Sequence, residues 1–131
     1  MLSDIKNFSD ENFIIIDRIG VLANLYSTGK VAYIGGSFKQ NIHNVLEAAV
    51  YQIPTLFGPM NQNSYEAQLL KTHRGGWEIR NSQEVSTLLE KFYLNDVYRL
   101  ESGMKAYRVV QENCGATARS VQFIQNYLAK E

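Results

Sequence analysis

The chain has 131 residues, 45% of them hydrophobic and 20% charged, with thirteen Lys and Arg against thirteen Asp and Glu and a formal net charge of zero. That length suits one domain with a real core, and the charge balance excludes a strongly basic nucleic-acid arm or an acidic tail. A single cysteine, Cys114, excludes an internal disulfide framework and a Cys-cluster zinc site, and points to a reducing compartment.

Residues 1–12 read as a polar leader, MLSDIKNFSDEN, too polar and acidic for a signal peptide, and residues 13–131 as the folded domain. No apolar run anywhere approaches the roughly 20 residues of a membrane span. Phe13 to Asp17 (FIIID) is a short apolar run of the buried-strand type, broken by Gly20. Val21, Leu22, Leu25 and Tyr26 predict a short amphipathic helix ending near Thr28-Gly29. Val31 to Ile34 (VAYI) is the next strand, closed by Gly35-Gly36-Ser37. His43 to Tyr51 reads as a helix with Val45, Ala48 and Ala49 on one face. Pro54 to Phe57 (PTLF) is a third strand, punctuated by Gly58-Pro59. Asn63 or Ser64 caps a helix to about Thr72, and Gly75-Gly76 turns into a fourth strand, Trp77 to Ile79.

The remainder is helical. Asn81 and Glu84 have capping-box spacing, and Val85, Leu88, Leu89 and Phe92 follow at helical intervals. Val97, Leu100, Met104 and Tyr107 repeat that pattern as the expected core face of a second helix. Beyond Gly115 a last helix carries Val121, Ile124 and Leu128. Short strands alternating with helices through glycine-bearing loops predict an α/β fold with a parallel, doubly wound sheet. In such folds ligands bind beyond the carboxyl ends of the strands, here after Ile34 and after Phe57.

The most informative stretch follows the second strand. Gly35 and Gly36 let backbone N–H groups approach a phosphate without a Cβ in the way, and Ser37 adds a hydroxyl. The helix expected to begin near His43-Asn44 would turn its free N–H groups to the same anion. His43 and Glu47 are four apart and Asn44 and Glu47 three apart, so all three fall on one side of that helix. A carboxylate one turn in can accept hydrogen bonds from a ribose diol. Taken singly, each feature also fits a plainer role: Gly-Gly as a turn, His43 as a helix-start cap, Glu47 as a surface acid near a helix N-terminus. Lys39 reads as a surface lysine, His73-Arg74 as a solvated helix end, and Cys114 has no catalytic partner nearby in sequence. With two histidines and no ligand spacing, neither a metal nor another cofactor is expected.

From Val31 to Asn63 the sequence, VAYIGGSFKQNIHNVLEAAVYQIPTLFGPMNQN, resembles the C-terminal domain of 3-deoxy-D-manno-octulosonic acid (Kdo) transferases. The IGGS strand end, the IHNVLEAA helix and PTLFGP with Asn63 downstream carry the likeness, and IDRIGVLANLY extends it over roughly residues 13–127. Other nucleotide-sugar transferases and a sugar-nucleotide epimerase share only the looser plan of glycine loop and helix glutamate.

The resemblance implies the incomplete C-terminal half of a GT-B fold, a Rossmann-like parallel sheet flanked by helices, binding the donor CMP-Kdo. By motif position Gly35, Gly36 and Ser37 would border the phosphate and sugar, His43 and Asn44 would face the same anion, Glu47 would hold the ribose hydroxyls, and Asn63 would sit near the donor sugar. The implied reaction is an inverting, metal-free transfer to a lipid A precursor in lipopolysaccharide core synthesis, at the cytoplasmic face of the inner membrane for a full-length enzyme. The general base would lie in an N-terminal half, so this chain by itself is expected to be soluble and not to turn over. Loss of the opening strands of the nucleotide half would expose apolar sheet edges, to be covered by FIIID pairing onto VAYI or by a second copy. The alternatives are a UDP-sugar transferase or epimerase, and a non-catalytic binding module.

Overall fold

Three of the four apolar runs become strands, and each is three residues long. The computed structural model describes residues 14–129, and the polar leader 1–12 lies outside them. In chain order the elements are α1 (Leu22–Tyr26), β1 (Ala32–Ile34), α2 (Leu46–Ala49), β2 (Thr55–Phe57), α3 (Tyr65–Thr72), β3 (Gly76–Glu78), α4 (Ser82–Leu94), α5 (Asp96–Asn113) and α6 (Ala116–Leu128). The sheet is parallel throughout, in the order β1-β2-β3, with Ala32 opposite Thr55 and Thr55 opposite Gly76.

Strand alternation splits the core between the two faces of the sheet. On one, Ala32, Ile34 and Phe57 meet Ala48 and Ala49 of α2, Leu70 of α3, and Ala106 and Val109 of α5. On the other, Leu56 and Ile79 meet Phe92 of α4, with Trp77, Val85, Leu88 and Tyr98 around them. Phe92 stands edge-on to Trp77, ring centroids 5.1 Å apart, and stacks on Tyr98 at 5.5 Å. β2 is buried at every residue, as the middle strand of a sheet covered on both faces must be. The expected α/β, Rossmann-like layout is therefore the observed one.

The local start signals hold. Ser64 caps α3 by accepting from the Ala67 N–H at 3.1 Å. Asn81 caps α4, accepting from the Glu84 N–H at 2.9 Å, and the Glu84 carboxylate reaches back to the Arg80 N–H at 2.8 Å.

Four expectations fail. FIIID is not a strand: Phe13 lies outside the described residues, Ile14 to Asp17 are irregular, and Ile14 and Ile15 are exposed. A run of apolar residues becomes a strand only where a neighbour offers backbone partners, and among the described residues β1 pairs with β2 alone. The helix expected over His43–Tyr51 is a single turn, Leu46–Ala49. Asn44 Oδ1 takes the Leu46 N–H at 3.0 Å and delays the start. Gln52, at φ 59°, ends it ahead of Pro54. On α5 the supposed core stripe faces water, with Val97, Leu100 and Met104 all more than half exposed. The buried face is Ser102, Gly103, Ala106 and Val109. Close approach selects it: a Cβ on Gly103 would stand 1.9 Å from the Gln52 carbonyl oxygen, and one on Gly75 would stand 2.5 Å from the Ala106 Cα. The stripe expected on α6 is likewise exposed at Val121, Ile124 and Leu128.

Candidate functional site

Where β1 ends, the chain makes a tight turn through Gly35-Gly36-Ser37. Gly36 sits at φ 95°, and a Cβ there would lie 2.6 Å from the Asn41 carbonyl oxygen and 3.1 Å from the His43 ring. Only glycine fits both the backbone and the space. The Gly36 carbonyl accepts from the N–H groups of Lys39 and Gln40 at 3.2 and 2.9 Å, and the Gly35 carbonyl accepts from that of His43 at 3.4 Å. The turn thus folds back and brings His43 and Asn44 beside the strand end.

A cavity of about 590 Å³ opens there, lined by Gly35, His43, Asn44 and Glu47 together with the more apolar Leu22, Leu25, Tyr26 and Ile53. Four residues singled out in the sequence therefore share one cavity. Glu47 is exposed, and its Oε1 accepts from Asn44 Nδ2 at 3.2 Å, which orients the carboxylate without consuming it. Burial first, and the Glu47 charge second, push the Tyr26 phenol up from its ordinary value. Because α2 is one turn long, it brings little helix macrodipole to this end of the cavity.

The other predicted residues stand apart from this cavity. Ser37 is fully buried and its Oγ accepts from the Gly58 N–H at 2.6 Å. Asn63 lines a second, more polar cleft of about 460 Å³ that it shares with Ser64 and Glu66. His43 and Asn44 border both spaces and form the ridge between them. Among the described residues no three His, Cys, Asp or Glu side chains gather as a metal would need, and no helix is long and apolar enough to cross a membrane.

No family model matches the chain. Its sequence is 36% identical over 107 residues to the 3-deoxy-D-manno-octulosonic acid transferase of Rickettsia felis, covering 81% of this chain and 22% of that protein. It is 38% identical over 79 residues to the transferase of the same name from Aquifex aeolicus, covering 58% and 22%.

This chain is a relative of the Kdo transferases.

It spans about a fifth of the length of the curated relatives it matches. In fold it is similar to the C-terminal CMP-Kdo binding domain of WaaA from Acinetobacter baumannii, with a TM-score of 0.67 at 22% identity over 73% of this chain and 51% of that one.

Two features of this Kdo transferase relative escaped the sequence. α1 supplies the apolar wall of the cavity, which its weak amphipathic pattern did not announce. A polar cluster also joins α3, β3 and the loop after β2. The buried Asn61 amide donates to the Gly58 carbonyl and to Glu78 Oε2, and accepts from Gln68 Nε2 and Lys71 Nζ. Glu78 also pairs with Lys71 at 3.1 Å and Arg80 at 2.9 Å. The Asn61 hydrogen bond first, then Lys71 and Arg80, hold the Glu78 carboxyl below the usual carboxylate range against the opposing effect of burial. No spacing rule links a loop Asn, a helix Lys and a strand-end Glu, so only the fold displays the cluster.

Proposed function

We propose that this chain is the donor-nucleotide-binding part of a Kdo transferase, taking CMP-Kdo for transfer to a lipid A precursor hydroxyl at the cytoplasmic face of the inner membrane. The observation that carries the reading is the gathering of Gly35, His43, Asn44 and Glu47 around one open cavity at the carboxyl end of β1. The backbone at the glycine turn and the His43 and Asn44 side chains receive the phosphate, and Glu47 accepts from the ribose hydroxyls. Asn63, across the ridge, addresses the donor sugar. Cleavage of the donor builds negative charge on the CMP phosphate, and donors already in place lower that barrier because they need no reorganisation. Proton removal from the acceptor requires a base supplied from outside this chain, so the chain alone binds donor without turnover.

The test is calorimetric. CMP should bind the chain, and Glu47→Ala should weaken it about tenfold or more, the worth of a hydrogen bond to a charged group. Glu84→Ala should leave affinity unchanged, since Glu84 serves the α4 cap. Equal losses in the two variants remove the ribose role from Glu47, and protection by UDP in place of CMP selects the UDP-sugar reading.

Among the described residues nothing pairs with the outer edge of β1, where Tyr33 is 55% exposed, and such an edge favours self-association. Light scattering should then give about twice the 14.9 kDa chain mass.

A further inference from the structure

We infer that Asn61, Lys71 and Glu78 form a positioning cluster which, through Gly58 and Ser37, sets the shape of the glycine turn; the inference rests on the donor-binding reading of that turn. None of the three lines the cavity itself. Their influence runs through bonds. Asn61 is fully buried and spends its whole amide capacity: Nδ2 donates to the Gly58 carbonyl at 2.8 Å and to Glu78 Oε2 at 3.0 Å, while Oδ1 accepts from Gln68 Nε2 at 2.8 Å and Lys71 Nζ at 2.9 Å. The loop so held is tied to the turn at two points. The Gly58 N–H donates to Ser37 Oγ at 2.6 Å, and the Met60 N–H donates to the Ser37 carbonyl at 2.8 Å. The seam is tight, since a Cβ on Gly58 would lie 2.7 Å from the Ser37 carbonyl oxygen and 2.7 Å from the Phe38 ring.

Stability alone does not account for this construction. Apolar side chains of similar volume would fill the space around the buried Asn61 amide and the partly buried Lys71 ammonium and Glu78 carboxylate at least as well. What the polar cluster adds is direction: each bond fixes an angle as well as a distance, so the loop has one register against Ser37. Ser37 is then a positioning residue, its hydroxyl committed to Gly58. The glycine turn inherits its geometry from β3 and α3, on the far side of β2.

The experiment compares affinity with stability in the full chain. CMP affinity is measured by calorimetry, and backbone amide exchange by NMR, for Asn61→Ala, Lys71→Met, Lys71→Arg and Phe92→Leu. Lys71, 27% exposed in its side chain, is the milder change should Asn61→Ala fold poorly. Asn61→Ala and Lys71→Met should weaken CMP at least tenfold and speed exchange at Gly58 and Met60, whose N–H groups donate to Ser37. Lys71→Arg should restore affinity by keeping the donors. Phe92→Leu, a core change in the other face, should lower the melting temperature while leaving affinity within twofold. Affinity within twofold of the parent in both Asn61→Ala and Lys71→Met overturns the cluster's role and leaves the donor reading standing. So does an equal affinity loss in Phe92→Leu. A parent chain that does not bind CMP overturns the donor reading, and the positioning role falls with it.

Discussion

The two edges of the sheet are finished in opposite ways. At β3 the outer strand is closed over: Trp77 sits in an aromatic cluster with Phe92 and Tyr98, and Glu78 ends the strand inside a network reaching α3 and the loop after β2. At β1 the outer strand is open. Tyr33 faces water, one space of about 590 Å³ lies along the strand, and a second of about 600 Å³ lies beside Lys30 and Val31 at its start. The chain leading to β1 is as apolar as any strand, yet Ile14, Ile15, Ile19, Leu22 and Leu25 are all exposed. Apolar character supplies the drive for burial, but a second layer must be there to receive it. α4 and α5 provide that layer at β3 and α2 provides it for Ala32 and Ile34 of β1, but among the described residues nothing provides it for Ile14, Ile15 and Ile19 ahead of that strand.

Four measurements sharpen this contrast. The largest effect is expected at the shared middle: Phe57→Ala removes a fully buried ring from the central strand and should cost about 3–5 kcal/mol in urea unfolding. Gly103→Ala should follow at about 3 kcal/mol, because its methyl meets the Gln52 carbonyl and pushes α5 off the sheet. A loss under about 0.5 kcal/mol would mean that α5 and the Gln52 turn are not in register.

The third effect depends on pH. Glu78 has its carboxyl held below the ordinary 4.5, so its interactions stabilise the fold above that value and are lost as the pH falls through the depressed one. Glu78→Gln should flatten the acid limb of the stability profile. An unchanged profile would show that the β3 edge does not depend on the charged network. The smallest effect belongs to the open edge. Ile19→Ser, at a fully exposed site, should change stability by no more than about 0.5 kcal/mol. A loss of several times that size would mean that the segment before β1 is covered in solution.

Much of the fold was legible because it is local. Ser64 and Asn81 announced α3 and α4 through their own hydrogen bonds to amides three residues on. VAYI, PTLF and Trp77–Ile79 read as strands because each is a β-rich run between turn residues. Gly36 announced a turn that no other residue could make. What failed was non-local. FIIID had the composition of a strand without a partner. The α5 stripe of Val97, Leu100 and Met104 was the apolar face, but the gap beside Gln52 admits only small side chains, so the helix turned Gly103 and Ala106 inward. The candidate site divided along the same line. Gly35, His43, Asn44 and Glu47 lie close in sequence and meet in one cavity, whereas Asn61, Lys71 and Glu78 come from three separate elements.

By itself the sequence determined the class of fold, the ends of its longer helices and the place where the chain must bend back at Gly35-Gly36. Those follow from side chains acting on their own backbone within a few residues. The tertiary structure decided which apolar residues are core and which lie open. It also turned Ser37 toward Gly58 and set a buried amide and an ion pair behind the glycine turn. Packing made those choices, because burial requires a partner surface of matching shape, and the pattern along one segment carries no information about the surface it will meet.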